Sequence, residues 1–147
     1  MSTGFLSRIV NRELYTALAG TAALTNVVGA RIHRGNRLPG GVALPACLFY
    51  MESSAYDTRM SNVPAEHITS GSYRFVVEIH DRSESDSRIA PAAEGQFAAL
   101  AGTEMYTADG YQITLTAQGE VPLTTSWDGE TQYQRLGTIY QVYVTKG

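Results

Sequence analysis

The feature that most limits how this chain can fold is the alternation between Ser72 and Asp81. Tyr73, Phe75, Val77 and Ile79 share one parity, and Arg74, Val76, Glu78 and His80 share the other. Side chains of an extended backbone point to opposite faces in turn, so the run predicts a strand with one face on a core. Three further runs have strand character. Ala46 to Tyr56 starts apolar, through Cys47, Leu48, Phe49, Tyr50 and Met51, and ends polar. Tyr111 to Ala117 and Leu136 to Thr145 alternate, with Thr and Tyr supplying β propensity.

Helical periodicity fills the gaps between these runs. Phe5, Ile9, Leu14, Tyr15 and Leu18 fall close to one face at spacings of three to five, with Ser2 or Thr3 to cap the start and Gly20 to end it. A shorter helical turn is expected over Ala22–Val28, stopped by Gly29, followed by a short β-like piece over residues 30–34. Gly35 to Leu44 contains Gly35, Pro39, Gly40 and Gly41 and reads as loop. Ser83 to Leu100 reads as a second main helix, with Ser83 or Ser85 as cap and Ile89, Ala93, Phe97 and Leu100 as the buried stripe. Pro91 then sits in the first turn of a helix starting near Ala90, or kinks a longer one. Asp128-Gly129 is a turn signal.

This order predicts an α+β fold: a mostly antiparallel sheet, two main helices packed on one face, and a long hairpin loop. The loop joins two long strands between Tyr56 and Thr69, and a connection of that length is uncommon unless it functions or is disordered. No repeat or linker divides the chain, so residues 1–147 read as a single domain.

Composition narrows the function classes. One Cys excludes an internal disulfide and a Cys-rich zinc scaffold. No run of 18 apolar residues predicts a membrane-crossing helix, and Leu6 to Val10, interrupted by Arg8, is too short for a signal-peptide core. A net charge of −3 makes a poor general nucleic-acid binder. Charged residues make up only 17% of the chain, against about 25% in ordinary soluble domains. Ten of the 11 basic residues are Arg, Lys146 being the exception. Arg forms bidentate pairs with carboxylates, and protein interfaces are depleted in Lys, Glu and Asp.

Motifs for chemistry are missing. There is no phosphate-binding GxxxxGK[ST], no GxGxxG after a strand, no HExxH and no GxSxG. Cys47 lies in the most apolar run and reads as a small core hydrophobe rather than a nucleophile. Glu78 and His80 share a strand face while Asp81 points away, so the three do not converge on a metal or an acid–base site. Catalytic, metal and cofactor-binding residues are therefore expected to be none. Arg31, His33, Arg34 and Arg37 form the one basic cluster, suited to partner carboxylates more than to DNA. Trp127 either packs at the sheet edge or anchors an interface.

Several segments together carry a resemblance. They are the N-terminal helix, the run Leu24-Thr25-Asn26-Val27-Val28-Gly29-Ala30-Arg31-Ile32, the Leu44-Pro45 pair before an apolar strand, Tyr73 to His80 ahead of an Ala-rich helix, and a closing Tyr-rich strand after Tyr133-Gln134-Arg135-Leu136. This arrangement resembles the tail-terminator or tail-completion proteins of long-tailed bacteriophages and phage-like particles, over nearly the whole chain. The resemblance implies a virion structural protein without catalysis or cofactor, assembled in the host cytoplasm and resident in the tail at the head–tail junction. It implies a homo-oligomeric ring, a hexamer, that ends the tail tube, meets the head–tail connector and lets genomic DNA pass unbound, with no membrane contact. The neighbouring alternatives are a head-completion or connector protein, and a small nucleic-acid-binding module.

Size permits the ring. A domain of this length has a radius of gyration near ~15 Å and a diameter of roughly 38 Å. Six in a ring leave a hole of roughly 38 Å, wider than a duplex of about 20 Å. Expected contacts follow from position and residue type. The loop residues Tyr56, Asp57, Arg59, Met60, Asn62, Val63, Glu66 and His67 are candidates for the tail-tube interface. Arg31, Arg34, Arg37, Trp127, Tyr140 and Tyr143 are candidates for subunit or connector contacts, with the last strand expected at a sheet edge.

Overall fold

The computed structural model describes residues 6–56, 70–82 and 86–146. The chain runs α1 (Leu6–Ala19), α2 (Ala22–Val28), β1 (Ile32–Arg34), β2 (Ala46–Tyr56), β3 (Ser70–Asp81), α3 (Ala90–Leu100), β4 (Glu104–Tyr106), β5 (Tyr111–Asp128) and β6 (Thr131–Lys146). The strands form one six-stranded sheet in the order β1-β2-β3-β6-β5-β4. Only β1 and β2 are parallel; every other neighbouring pair is antiparallel. This is the expected α+β class.

The parity of β3 decides which face is covered. Tyr73, Phe75, Val77 and Ile79 are buried together with Cys47 and Phe49 of β2, Tyr140, Val142 and Val144 of β6, and Ile113 and Leu115 of β5. Against them pack Leu6, Val10, Leu14 and Leu18 of α1, Leu24 and Val28 of α2, and Ala92, Ala93 and Leu100 of α3, so these form one core. Each fully buried aliphatic or aromatic side chain in that layer contributes roughly 1.5–3 kcal/mol.

The helix phases differ from expectation. The α1 stripe is Leu6, Val10, Leu14 and Leu18, one residue per turn. Ile9 is only half-buried at its flank, and Tyr15 is 47% exposed. Tyr15 follows Leu14 by one residue, a turn of about 100° away from the core, and its ring lies 6.3 Å from that of Phe49. Phe5 lies outside the described residues. The helix ends as expected, with the Gly20 N–H donating to the Thr16 carbonyl at 3.0 Å. Gly29, at φ 61°, closes α2 by donating to the Thr25 carbonyl at 2.8 Å.

The second main helix is shorter than Ser83 to Leu100. It begins at Ala90 with Pro91 in its first turn, and Ile89 occupies the capping position without a side-chain bond. Ser83 and Ser85, the expected caps, lie outside the described residues, seven and five positions before the helix starts. Its stripe also differs. Phe97 is 47% exposed, and Ala92 and Gln96 are buried instead. Gln96 is tolerated inside because its amide is satisfied: Nε2 donates to Thr138 Oγ1 at 2.7 Å and to the Ala93 carbonyl at 3.1 Å, and Oε1 accepts from the Tyr140 hydroxyl at 2.8 Å.

Two strand expectations are corrected. The run Tyr111 to Ala117 is the start of an 18-residue strand. Irregularities between Ala117 and Gly119, and between Val121 and Thr124, break its period and hide the rest. Pro122 sits in the second of these, where its missing N–H costs no ladder bond. The last strand is not an edge. It extends from Thr131 to Lys146 and is hydrogen-bonded to β3 on one side and β5 on the other. Alternation reports which faces a strand shows, not how many neighbours it has.

Candidate assembly surfaces

The true sheet edges are elsewhere. At one end, β1 pairs only with Cys47, Leu48 and Phe49 of β2. The backbone of β2 from Tyr50 to Tyr56 has no strand on that side among the described residues. At the other end, β4 pairs with Gln112 to Thr114, and Leu115 bonds to Thr103. From Thr116 to Asp128, β5 has no strand on its outer side among the described residues. Unpaired edges of this length are templates for another chain.

A shallow groove of about 360 Å³ lies next to the β1 end, between α1 and the sheet. Arg8, Arg12 and Arg34 rim it, and Tyr15 and Phe49 form its apolar part. Arg12 is paired with Glu13 at 3.1 Å and Asp109 at 3.3 Å. A larger groove of about 560 Å³ lies at the other end, where α3 faces the first irregularity of β5. Glu94, Phe97, Glu120 and Leu136 are among its lining residues.

The expected contact residues separate into groups. Arg34 and Arg37 are exposed. Arg31 is half-buried and holds the fold: its Nε donates to the Pro45 carbonyl at 2.8 Å and its Nη2 to the Val27 carbonyl at 3.5 Å, where the end of α2 favours a cation. Trp127 is 65% exposed beside the β5–β6 turn, and Tyr143 is 42% exposed on the helix-free face of β6. Tyr140 is a correction. It is fully buried, with its hydroxyl on Gln96, because its parity on β6 turns it into the helix layer. It is no subunit contact. In the expected tube-facing loop, the backbone of Tyr56 ends β2 opposite Gly71. Asp57, Arg59, Met60, Asn62, Val63, Glu66 and His67 lie outside the described residues.

The helix-free face carries a compact polar cluster. Glu78, 4% exposed, accepts from the Tyr50 hydroxyl, sits 3.1 Å from His80 Nε2 and 3.4 Å from Arg135 Nη1. The shared face of Glu78 and His80 was legible from parity. Tyr50 and Arg135 were not, because the register that brings them there joins three strands. Burial acts to raise the Glu78 pKa, but its bonds to His80 and Tyr50 and the Arg135 charge outweigh it and hold the carboxyl below its ordinary 4.5. Burial, and then the same carboxylate, push the Tyr50 phenol above its ordinary value. A carboxylate held ionised by three partners is part of an ordered structural cluster rather than a proton donor. Asp81 points to the opposite face, 3.5 Å from Arg88.

Cys47 is fully buried, and burial followed by the charge of Glu78 pushes its thiol up to about 12, which keeps it from forming a thiolate. Among the described residues no group of three or more His, Cys, Asp or Glu is placed to hold a metal, and no helix is long and apolar enough to cross a membrane.

No protein-family model and no curated protein matches the chain. Among solved structures, a chain from the virion of a native gene transfer agent (GTA) particle has the same fold. The two superpose with a TM-score of 0.60 at 16% identity, over 90% of this chain and 91% of that one. The likeness spans nearly both chains from end to end, and it shows that this sheet-and-helix arrangement is one a virion chain adopts.

Proposed function

We propose that this chain is a structural protein of a phage-like virion, which assembles as a ring that ends the tail tube and meets the head–tail connector. The observation that carries the reading is the end-to-end fold likeness to a virion chain. The sheet supports it independently, because unpaired backbone at both ends of the strand order lets identical copies associate head to tail. A head-to-tail contact between unlike surfaces closes into a ring when its rotation allows. Six copies surround a channel wide enough for duplex DNA, and the chain's net charge of −3 favours passage over retention. The resident position is the head–tail junction, and the ring works by shape and contact, without catalysis.

The test is negative-stain imaging with light scattering on the purified protein, alone and mixed with tail tubes. Rings, or caps on tube ends, are the expected result. A strict monomer that never associates with tubes refutes the reading. Rings that ignore tubes and bind only isolated connectors move the protein to the connector side of the joint.

A further inference from the structure

We infer that the arginine groove beside α1 is one half of a subunit interface, and that its other half is the acid-rimmed groove beside α3 on a second copy of this chain. The inference rests on the ring reading above and assigns the surfaces that would close such a ring.

The two grooves are complementary in charge and in apolar content. Arg8 and Arg34 are exposed, and neither has a carboxylate partner among the described residues. The half-exposed Tyr15 ring and the nearly buried Phe49 ring line the same groove. In the other groove, Glu94 and Glu120 are exposed and have no ion-pair partner among the described residues, and the half-exposed Phe97 lines it with them. Two guanidinium groups thus match two carboxylates, and the exposed part of the Tyr15 ring matches that of Phe97. Each groove also adjoins an unpaired backbone edge, Tyr50 to Tyr56 in one case and Thr116 to Asp128 in the other.

The placement explains why the match is not made within one molecule. The arginine groove is carried by α1, β1 and β2 and the acidic one by α3, β5 and β6, with β3 between the two sets of strands. Among the described residues no ion pair joins the two grooves within one copy, and a pairing of such unlike surfaces between copies propagates in one direction around a ring. Exposed ion pairs alone stabilise little. Aromatic surface closing over them excludes water and makes the charges select the partner and its register. Nucleic acid fits the arginine groove less well: a phosphate track needs several free cations in a row, whereas here Arg12 is already paired with Glu13 and Asp109.

Charge reversal in the full-length chain tests the pairing, read by sedimentation velocity and imaging across a concentration series. Arg8→Glu with Arg34→Glu is the first protein, Glu94→Arg with Glu120→Arg the second, and all four substitutions together the third. Each one-sided reversal is expected to raise the concentration needed for assembly by about tenfold or more. The fourfold variant is expected to recover most of that loss. Thermal melts monitor folding, and where a reversed chain melts early, Arg8→Gln with Arg34→Gln repeats the test with a smaller expected loss. If the wild type forms rings and both one-sided variants do so at the same concentration, the inference falls and the ring reading stands. It also falls if the fourfold variant folds but recovers nothing, or if arginine reversal spares assembly and abolishes salt-sensitive binding of short duplex DNA. A wild type that stays monomeric and ignores tubes overturns the ring reading, and this inference with it.

Discussion

Replacing Gly137 with alanine puts a methyl group where the backbone of β3 already is. A Cβ at this position would lie 1.9 Å from the Val77 carbonyl oxygen and 2.9 Å from both the Val77 carbonyl carbon and Glu78 Cα. A relaxed carbon–oxygen contact is about 3.3 Å, so the strands must separate locally by roughly 1.4 Å. Gly137 pairs with Glu78 on one side and Val121 on the other, in the middle of the sheet. No long flexible side chain is available to absorb the shift. A separation of that size breaks the adjacent ladder bonds, each worth about 0.5–1.5 kcal/mol net and about 1–3 kcal/mol where a group is left buried and unpaired. We expect a loss of about 3–5 kcal/mol, including overpacking. For a domain of this size that lowers Tm by about 6–20 °C. Gly119→Ala is the control, because a Cβ there meets nothing within 4 Å, and it should change stability by less than about 0.5 kcal/mol. Urea and thermal unfolding of the two variants beside the wild type decide the matter. If Gly137→Ala is as stable as Gly119→Ala, the close approach of β3 and β6 described here is wrong.

Two further predictions concern buried polar groups. Gln96→Leu removes the partners of the Thr138 and Tyr140 hydroxyls inside the core. It should cost about 1–3 kcal/mol in chemical denaturation; an unchanged midpoint would show that those hydroxyls find other partners. The depressed pKa of Glu78 makes stability depend on pH. The folded chain binds this proton less readily than the unfolded chain, so the contribution is full above the ordinary value of 4.5 and is lost as pH falls through the lower folded value. Glu78→Gln should flatten the acid limb of stability against pH, and acid limbs that superpose for the two proteins would rule out this role.

The class of the fold was readable because period is a local property. Tyr73 to Ile79 turn inward as their alternation requires, the short helix covers Ala22–Val28 as expected, and β2 has the expected bounds. Errors arose where local signals were interrupted or crowded. The irregularities in β5 concealed much of the hairpin, and the cluster of apolar residues around Leu14 left the phase of α1 open to a shift. Gln96 was not among the expected buried stripe, because the partners that satisfy it, Thr138 and Tyr140, lie 42 and 44 residues away.

The candidate surfaces divide along the same line. Amino-acid order alone established the strand faces, the burial of Cys47, the turn after Asp128 and the absence of recognisable catalytic motifs, since each depends on neighbours within a few residues. Strand order needed the folded chain. The strand order puts β6 inside the sheet and leaves stretches of β2 and β5 as unpaired edge, and the helix layer over the sheet buries Tyr140. The arginine and glutamate grooves likewise each gather residues that lie far apart in the sequence, Arg8 with Arg34 and Phe49, and Glu94 with Glu120 and Leu136. A sequence records which groups are available and which way each faces along its own element, whereas the neighbours those groups acquire, and the surface left without any, are set by how the elements pack.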